Sequence, residues 1–559
     1  MSMTPLWSAV CHRFRRNLAN SADLDQFVTV FLESGPIITN NSARLAFFKP
    51  GLHAQQKAGP PVTALKSVGY EWLKQKLGVD PMPHFCESYI ASKGGRKTEV
   101  RDGFHVEYYP KSYQPDETLP AQLEFALKYE GLHLELIRAC LAAWPVDELA
   151  AYVREKPIAQ NRRRIWFLYE TFQDATLDVE NLTKGGYIDL LDSKRYFTTE
   201  GNRSRRHRVV VNWLGTREYC PLVRRTPELM AFVEKQLSER MHEQILAYPQ
   251  DVMQRAMQYL YTKETKSSFA IERQTPTQQR SARFIDLLKQ AGRECSFVDA
   301  RLTTLQNAIV DERYAEQRFR TIQNYVGETA FVGKEIVHFV PPKPEDVESL
   351  MHGLEQCFQQ LRNSDVDPVI SAAVLSFGFV FIHPFEDGNG RIHRFLIHDY
   401  LADQQFTPPG VMFPISAAML NNMVEYDATL EAFSRPLMSR IQYRLTSEGE
   451  LETQSETLDY YRFQDLTAQA TQLYSFLDRT IETEFVAELT FLQNYDKARD
   501  AMRDVVDMPD GDVDKFIRFV TQNHGKLSAA KRKRFFEKLT DEEVEQLEEC
   551  VREAFELAA

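Results

Sequence analysis

The chain has 559 residues, 43% of them hydrophobic, and a formal net charge of -12 from 67 Lys and Arg against 79 Asp and Glu. At roughly 100–200 residues per domain this length predicts three or four domains, and the apolar content excludes disorder as the main state. The net negative charge excludes a protein that binds nucleic acid or anionic lipid over its whole surface, because the charge has the wrong sign. Any phosphate group must therefore be bound locally.

The sequence predicts no membrane span. Its longest apolar run, residues 370–382, has thirteen residues, whereas a membrane-spanning helix needs about 18–20. Near the N-terminus a short apolar stretch precedes Arg13, Arg15 and Arg16, which is the reverse of the order in a secretory signal. The seven cysteines are widely spaced and form no C-x-x-C pair. We therefore expect a reduced, cytoplasmic protein.

Residues 1–225 have a mixed α/β pattern to which we assign no chemistry, with a strand expected at residues 209–211. Basic clusters occur at residues 162–164, 203–208 and 531–534. Such clusters are compatible with nucleic-acid binding. In an acidic chain without a binding motif around them, we favour faces that are solvated or salt-bridged.

Helical signals become clear from residue 226. The Thr-Pro-Glu sequence at 226–228 is typical of an N-cap, a proline at the first helical position and a first-turn acid, so it predicts a helix to about Tyr261 with a break at Pro249. A second helix is expected from about residue 277 to a C′ glycine at Gly292.

The pattern changes between residues 318 and 344. A β-branched and aromatic run at 336–340 follows a Gly-Lys turn at 333–334 and stops at Pro341, which predicts a small hairpin. Three helices are expected next: one from near Pro344, one over residues 368–381, and one from Arg391 to before Pro408.

The last part of the chain is predicted to be helical. Two short strands are expected around a turn at residues 448–449, and residues 460–557 have an almost continuous helical pattern. A capping box is expected at residues 540–543.

The chemically informative stretch is residues 383–394, His-Pro-Phe-Glu-Asp-Gly-Asn-Gly-Arg-Ile-His-Arg. Gly388 and Gly390 permit positive φ and close approach of a ligand, and the free N–H groups of the following helix start can face an anion. Arg391 and Arg394 lie three positions apart on the expected first turn, where positive charge opposes the helix dipole unless an anion binds between them. The stretch therefore predicts a phosphate-binding loop.

Two other residues of this stretch offer chemistry. Asp387 presents one carboxylate beside the predicted polyphosphate, which is how Mg²⁺ is usually held. His383 has an ordinary pKa near neutrality, so it is the candidate general base for an attacking hydroxyl. Zinc binding by His383, His393 and His398 is disfavoured, because the H-E-x-x-H spacing and any cysteine pair are missing. The alternative is a glycine-rich loop whose His and Asp merely cap helices.

Residues 383–394 resemble the signature of the Fic family, H-P-F-x-D/E-G-N-G-R-x-x-R, and every defined position of that pattern is filled. The resemblance extends over about residues 295–444, through a flap-like hairpin at 336–342 and a helix-like segment at 421–430. It implies a helical core around the loop and transfer of AMP from ATP to a protein hydroxyl. The retained G-N-G-R sequence favours this reaction over phosphorylation.

The resemblance implies a mainly α fold with a Fic-type helical core and a small β-hairpin flap. With the composition pattern it divides the chain into four regions: a mixed N-terminal region at 1–225, a helical region with an inhibitory motif at 226–294, the Fic catalytic core at 295–445, and a C-terminal helical domain at 446–559.

The resemblance also implies a role for each matching residue. His383 would deprotonate the target Ser, Thr or Tyr, and Asp387 would hold Mg²⁺ on the phosphates of ATP. The remaining expected contacts are an anion hole at Gly388, Asn389 and Gly390, the β-phosphate at Arg391, the γ-phosphate at Arg394, an adenine pocket at Tyr426, and target docking along the flap at Val337, His338 and Phe339.

An upstream segment resembles the inhibitory motif S/T-x-x-x-E-G/N, with Ser268 and Glu272 in place but Arg273 where Gly or Asn is usual. Glu272 would pair with Arg394 and occupy the γ-phosphate site. The departure at Arg273 bears on the strength of this inhibition. The same carboxylate could also align a water for removal of AMP.

The sequence thus predicts an autoinhibited Fic protein adenylyltransferase that uses ATP and Mg²⁺, releases pyrophosphate and acts on a protein with an exposed hydroxyl, with auto-modification and a homodimer as further expectations. Three alternatives stay open: removal of AMP, transfer of another nucleotide monophosphate, and a nucleotide-sensing DNA-binding or scaffold protein.

Overall fold

The computed structural model describes residues 65–557 except 102–103, 330–334, 409 and 448. The first 64 residues, the predicted turn at 333–334 and Glu448 of the predicted turn at 448–449 lie outside the described residues. The fold is mainly α-helical with a hairpin and small sheets, which confirms the predicted fold class.

The helices before the hairpin are α1 Tyr70–Leu77, α2 Leu119–Tyr129, α3 Leu134–Ala143, α4 Val146–Glu155, α5 Gln160–Gln173, α6 Pro227–Val233, α7 Leu237–Leu246, α8 Gln250–Ile271, α9 Gln278–Leu288 and α10 Asp299–Ile309. Those after it are α11 Pro344–Arg362, α12 Pro368–Ile382, α13 Asn389–Asp403, α14 Ile415–Asn421, α15 Met423–Met438, α16 Leu458–Arg462, α17 Thr467–Arg479, α18 Val486–Val505, α19 Asp510–Gln522, α20 Ala529–Phe535 and α21 Asp541–Phe555. A π-helical turn, Thr480–Phe485, joins α17 to α18.

The strands are β1 Lys66–Val68, β2 Cys86–Ala91, β3 Lys97–Arg101, β4 Phe104–Pro110, β5 Ile188–Asp189, β6 Asn202–Ser204, β7 Val209–Val211, β8 Val326–Thr329, β9 Glu335–Phe339, β10 Tyr443–Leu445 and β11 Leu451–Thr453. They form a four-stranded sheet in the order β1-β2-β4-β3, a three-stranded sheet in the order β5-β7-β6, and the pairs β8-β9 and β10-β11. The strand expected at residues 209–211 and the hairpin expected near 336–340 are both present.

The centre of the molecule is α12. Every residue from Val369 to Ile382 is buried, as is typical of a helix that is apolar on all sides. Its start is capped by Asp367, whose Oδ1 accepts hydrogen bonds from the backbone N–H of Val369 at 2.8 Å and Ile370 at 3.3 Å. No helix in the described ranges is both long and apolar enough to cross a bilayer.

One large hydrophobic core contains residues from Phe197 to Leu492. It lies on both sides of the boundaries proposed at 226, 295 and 446, and those boundaries stay predictions. A second core lies mainly within residues 70–222, and a third within the last four helices.

Several predicted helix limits are wrong. Helix α8 continues past Tyr261 to Ile271, because its last turns pack their polar face against α13 rather than against solvent. Helix α9 ends at Leu288, and Gly292 takes its positive φ of 79° in the turn beyond. Helix α13 begins at Asn389 rather than Arg391. Terminal limits of helices depend on tertiary contacts that periodicity does not contain.

The basic cluster at 162–164 is not uniformly solvated or salt-bridged. Arg162 pairs with Glu155 at 2.9 Å, as expected. Arg163, however, is 3% exposed and donates to the backbone carbonyls of His207 and Gly186, both at 2.9 Å. The expectation fails at Arg163 because irregular backbone in this region leaves carbonyl groups that need buried donors.

The segment around Tyr219 passes close to α11 and α12 at two glycines. Tyr219 is fully buried, and its hydroxyl donates to the carbonyl of Val374 at 3.3 Å. A Cβ on Gly353 would lie 2.7 Å from the backbone N of Tyr219, and one on Gly378 would lie 2.1 Å from its hydroxyl oxygen. Both glycines are therefore required by close packing.

We predict that Gly378→Ala lowers the free energy of unfolding by roughly 1–3 kcal/mol, because the added methyl group overpacks the core against Tyr219. Thermal and chemical denaturation measure the change. Gly511→Ala is the matched control, since a Cβ there meets no atom within 4 Å. Adding Tyr219→Phe should recover part of the loss, and an undiminished loss in the double variant would contradict the clash.

Candidate active site

A cavity of about 40 Å³ lies at the start of α13. Its walls come from the end of α8, the hairpin, the loop between α12 and α13, and α15. They are formed by Ile271, Glu272, Val326, Val380, His383, Asp387, Gly388, Asn389, Gly390, Arg391, Arg394, Tyr426 and Leu430. The fold thus brings together the predicted base, carboxylate, glycines, arginines, aromatic residue and inhibitory glutamate.

The loop between α12 and α13 is held by side chains. The carboxamide of Asn389 accepts from the N–H of Phe385 at 3.0 Å and donates to its carbonyl at 2.8 Å. Arg320 donates through Nε to the carbonyl of His383 at 2.8 Å. Glu316 accepts from the N–H of Glu386 at 2.9 Å, and burial raises its pKa to about 7. Sequence reasoning missed Arg320 and Glu316 as supports, because both lie outside the signature.

His383 ends α12 with a positive φ of 53° and is 5% exposed. Its Nδ1 lies 3.1 Å from the carbonyl of Val380, which places the proton on Nδ1 and leaves the lone pair on Nε2. Burial, followed by the charge of Arg320, lowers the pKa of His383 to about 4. The imidazole is therefore neutral near pH 7, which is the form that can accept a proton.

The start of α13 has the geometry of an anion cradle. Gly388 precedes the helix with a φ of 93°, and a side chain there would be strained. Because α13 begins at Asn389, Arg391 lies in its first turn, whereas Arg394 lies in the second turn rather than the first as expected. The two arginines still face the same cavity.

Arg391 is 1% exposed and donates to Asp387 Oδ1 at 3.0 Å and to the carbonyl of Ile309 at 3.3 Å. Its guanidinium also lies 5.3 Å from the centre of the Phe269 ring. Among the described residues its Nε has no hydrogen-bond partner. A buried donor of this kind is available to an anionic ligand.

Asp387 provides the oxygen that a hard cation would need. Its Oδ1 accepts from the N–H of Gly388 at 2.6 Å as well as from Arg391, and the side chain remains 28% exposed in the cavity wall. One carboxylate beside a phosphate cradle fits Mg²⁺, whose other ligands are usually phosphate oxygens and water. The described residues include no cluster of three or more ligands that could hold a metal by themselves.

Arg394 is 2% exposed and is saturated with partners from α8. Its Nε donates to the hydroxyl of Ser268 at 3.0 Å, and its Nη2 donates to the carbonyl of Ser268 at 2.8 Å and to Glu272 Oε1 at 2.7 Å. Burial opposes its charge, but Glu272 raises the pKa of Arg394. The ion pair expected between Glu272 and Arg394 is present.

The carboxylate of Glu272 also lies against Gly390. A Cβ at Gly390 would be 2.2 Å from Glu272 Oε1, so the missing side chain makes room for the carboxylate. Gly390 is in the first turn of α13, where free N–H groups and the helix dipole favour negative charge. Glu272 therefore fills the space beside the start of α13.

Helix α8 ends in a Schellman motif directly after this carboxylate. The N–H of Arg273 donates to the carbonyl of Ala270 at 2.8 Å, and that of Gln274 donates to the carbonyl of Phe269 at 3.0 Å. Arg273 has a φ of 53°, in the left-handed region that Gly and Asn adopt more easily than Arg. Gly or Asn would adopt this conformation at position 273 with less strain.

A second polar contact joins α8 to α13. Glu264, 1% exposed, accepts from His398 Nε2 and from the N–H of Ser416, both at 2.8 Å. Glu264 is one turn before Ser268, and His398 is one turn after Arg394, so the two contacts share one face of each helix. Sequence reasoning missed Glu264, although the spacing of four between Glu264, Ser268 and Glu272 was a usable signal.

The predicted docking residues of the flap lie on β9. The side chain of Phe339 is fully buried and contacts the rings of Phe381 and His383 at centroid distances of 6.2 and 6.5 Å. Its side chain packs the core, and docking of a target along the flap stays a prediction. Val337 is half-buried, and His338 lies 3.7 Å from Glu328.

Tyr426 is 3% exposed and lines the cavity beside Leu430. Its hydroxyl lies 3.5 Å from Arg394 Nη1, and its ring stacks on His393 with a centroid distance of 6.4 Å and an interplanar angle of 24°. The structure thus places Tyr426 between the arginine and the apolar end of the cavity.

Residues 298–401 match the Fic/DOC family model. The chain is 32% identical over 96 residues to a protein adenylyltransferase Fic from Nematostella vectensis, covering 17% of this chain and 20% of that protein. It is 37% identical over 90 residues to a protein adenylyltransferase Fic from Drosophila virilis, covering 16% of each. A crystal structure of a Fic family protein from Desulfovibrio desulfuricans matches 60% of this chain and 85% of that chain, with 18% identity and a TM-score of 0.35.

The match to the curated relatives spans a fifth or less of their length. The signature at residues 383–394 lies inside the range that the family model matches. Residues 298–401 of this chain are therefore similar to the Fic/DOC family.

Proposed function

We propose that this protein is an adenylyltransferase that transfers AMP from ATP to a Ser, Thr or Tyr hydroxyl of a protein, including its own chain. The observation that carries the proposal is the cavity in which a neutral buried His383, Asp387 and two buried arginines surround the start of α13. The two curated relatives are named as protein adenylyltransferases.

In the proposed reaction the target hydroxyl oxygen attacks the α-phosphorus of ATP. His383 accepts the hydroxyl proton on Nε2, the new bond joins the hydroxyl oxygen to phosphorus, and the bond to the bridging oxygen breaks so that pyrophosphate leaves. Arg391 and Arg394 supply donors to the departing phosphates, in a buried site where charge-assisted hydrogen bonds are strong.

Asp387 is the residue that would hold Mg²⁺. When bound, the ion would neutralise charge on the phosphate oxygens. Arg391 keeps the carboxylate of Asp387 oriented toward the cavity through its contact with Oδ1 at 3.0 Å.

We further propose that Glu272 inhibits this reaction. Its carboxylate accepts a hydrogen bond from Arg394 and lies against Gly390 at the start of α13. In the proposal these are the groups that the terminal phosphate of ATP needs. A carboxylate and a phosphate cannot share these donors, so ATP binding requires Glu272 to leave.

Removal of AMP is a second candidate activity. It is favoured by one observation, the presence of the Glu272 carboxylate in the same cavity as His383. A carboxylate there could orient a water for attack on an AMP ester.

We predict that His383→Ala lowers AMP transfer by roughly 10²- to 10⁴-fold, because the general base is lost. Transfer is measured with radiolabelled ATP and Mg²⁺ in the Glu272→Gly background, where labelling is expected to be strongest. The control His352→Ala removes an exposed histidine of α11. Full labelling by the His383→Ala variant would rule out the assigned base.

We predict that Glu272→Gly raises auto-labelling about tenfold, within the usual range of coupling between competing ligands. The change also leaves Arg394 buried without its carboxylate, so ATP should raise the melting temperature more in this variant than in the wild type. Gln258→Gly on the exposed face of α8 is the control for the glycine itself. Equal labelling in the two glycine variants would exclude inhibition by Glu272.

We predict that Arg273→Gly strengthens the inhibition, because it removes about 1 kcal/mol of left-handed strain from the end of α8. The expected results are a higher melting temperature and weaker auto-labelling than in the wild type. Arg273→Ala is the matched control, since it removes the charged side chain but keeps the strained Cβ. If Arg273→Ala has the same effects, the side chain and not the backbone is responsible.

A further inference from the structure

A second cavity, of about 270 Å³, lies outside the active site, and we call it the Glu135 cavity. It is enclosed by the segment after α1, by α3 and by the start of α16. Its lining consists of Val79, Asp80, Pro81, Glu135, Leu136, Ala139, Glu456, Thr457, Asp459 and Tyr460. The lining contains four carboxylates and no lysine or arginine.

Three of these carboxylates have cationic partners that do not line the cavity. Asp80 pairs with Arg440 at 3.3 Å, Glu456 with Lys343 at 2.7 Å, and Asp459 with Arg462 at 3.0 Å. These ion pairs neutralise three of the four carboxylates, and their cations lie outside the lining of the cavity.

Glu135 differs from the other three carboxylates. Its Oε2 accepts from the backbone N–H of Met82 at 2.9 Å, and it forms no ion pair with any described residue. Burial raises its pKa to about 8. Glu135 is thus a partly buried carboxyl group with one backbone hydrogen bond and no cation of the described residues at ion-pair distance.

Thr457 adds an independent observation. It lines the same cavity and is 1% exposed, and its hydroxyl has no hydrogen-bond partner among the described residues. A buried hydroxyl without a partner is rare in folded proteins. A ligand with several N–H donors and one positive charge would satisfy both Thr457 and Glu135, and an ammonium or guanidinium group has these properties.

The Glu135 cavity lies beside the base of the flap. Tyr461, the neighbour of the lining residue Tyr460, donates its hydroxyl to the carbonyl of Val340, directly after β9. Lys343, which pairs with the lining residue Glu456, follows three residues later. In the two-stranded sheet β8-β9 each strand has an edge without a strand neighbour among the described residues, and a peptide can add to such an edge.

We propose that the Glu135 cavity receives a lysine or arginine side chain of the protein that is modified. The proposal rests on the proposed function and specifies its substrate: a protein with a basic residue near the hydroxyl that receives AMP. The segment after β9 is linked to the elements of this cavity through the contacts of Tyr461 and Lys343. The connection to the flap is the reason to assign the positive charge to a peptide and not to a free amine.

Direct binding tests the proposal without any catalytic step. The probe is a fluorescein-labelled peptide pool containing Ser, Thr and Tyr acceptors and one fixed arginine, and fluorescence anisotropy measures its Kd for the full chain. Glu135→Gln should raise the Kd about tenfold, as expected for loss of one charge-assisted hydrogen-bonded pair. The control Glu148→Gln changes an exposed carboxylate of α4 and should leave the Kd unchanged.

Thr457→Val provides a second variant if Glu135→Gln does not fold, because it removes the hydroxyl at nearly constant shape. It should also weaken binding of the pool. Replacing the fixed arginine by norleucine should abolish the difference between wild type and variants. A Kd that is the same for wild type, Glu135→Gln and Thr457→Val overturns the proposal, and so does equally tight binding of free arginine methyl ester.

A kinetic readout separates this inference from the proposed function. In the Glu272→Gly background, Glu135→Gln should raise the KM for the peptide pool while leaving its kcat and the KM for ATP unchanged. If no variant transfers AMP but the pool still binds through Glu135, the proposed reaction is wrong. The proposed binding role of the Glu135 cavity is then retained. If AMP is transferred with an unchanged peptide KM, the cavity plays no part in substrate binding.

Discussion

The molecule is organised around one buried positive charge. Arg394 is 2% exposed at the crossing of α8 and α13, and its guanidinium donates to Ser268 and Glu272. Leaving such a charge without a partner in the interior would cost several kcal/mol. An anion beside Arg394 therefore stabilises the fold. In the observed state that anion is a carboxylate of the chain itself, and the proposed function is the exchange of this carboxylate for a phosphate.

Exchange of one anion for another needs a cradle that does not rearrange. The loop after α12 has this property, because Asn389, Arg320 and Glu316 each hold one of its backbone groups at 3.0 Å or less. A ligand would not have to order the loop when it binds, which saves free energy of association. The proposed exchange would displace the carboxylate at the end of α8. The next residue, Arg273, has a left-handed backbone conformation that is slightly strained.

Local chemistry was predictable wherever it depended on near neighbours in the chain. The N-cap at Thr226 and the capping box at Thr540 are present as expected, because capping involves residues three positions apart. Predictions failed where distant elements intervene. Arg163 has the sequence of a solvated cluster but is buried under backbone carbonyls, and α8 continues past Tyr261 to Ile271.

By itself, the sequence determined which chemical groups stand together in residues 383–394, since a loop followed by a helix start is defined by residues within a few positions of each other. It also identified Glu272 through resemblance to a motif. Only the tertiary structure decided that Glu272 meets Arg394, 122 positions away, and lies against Gly390. Likewise only the fold decided that Glu135 and Thr457 face one cavity. The physical reason is that burial and charge partners depend on how distant helices pack.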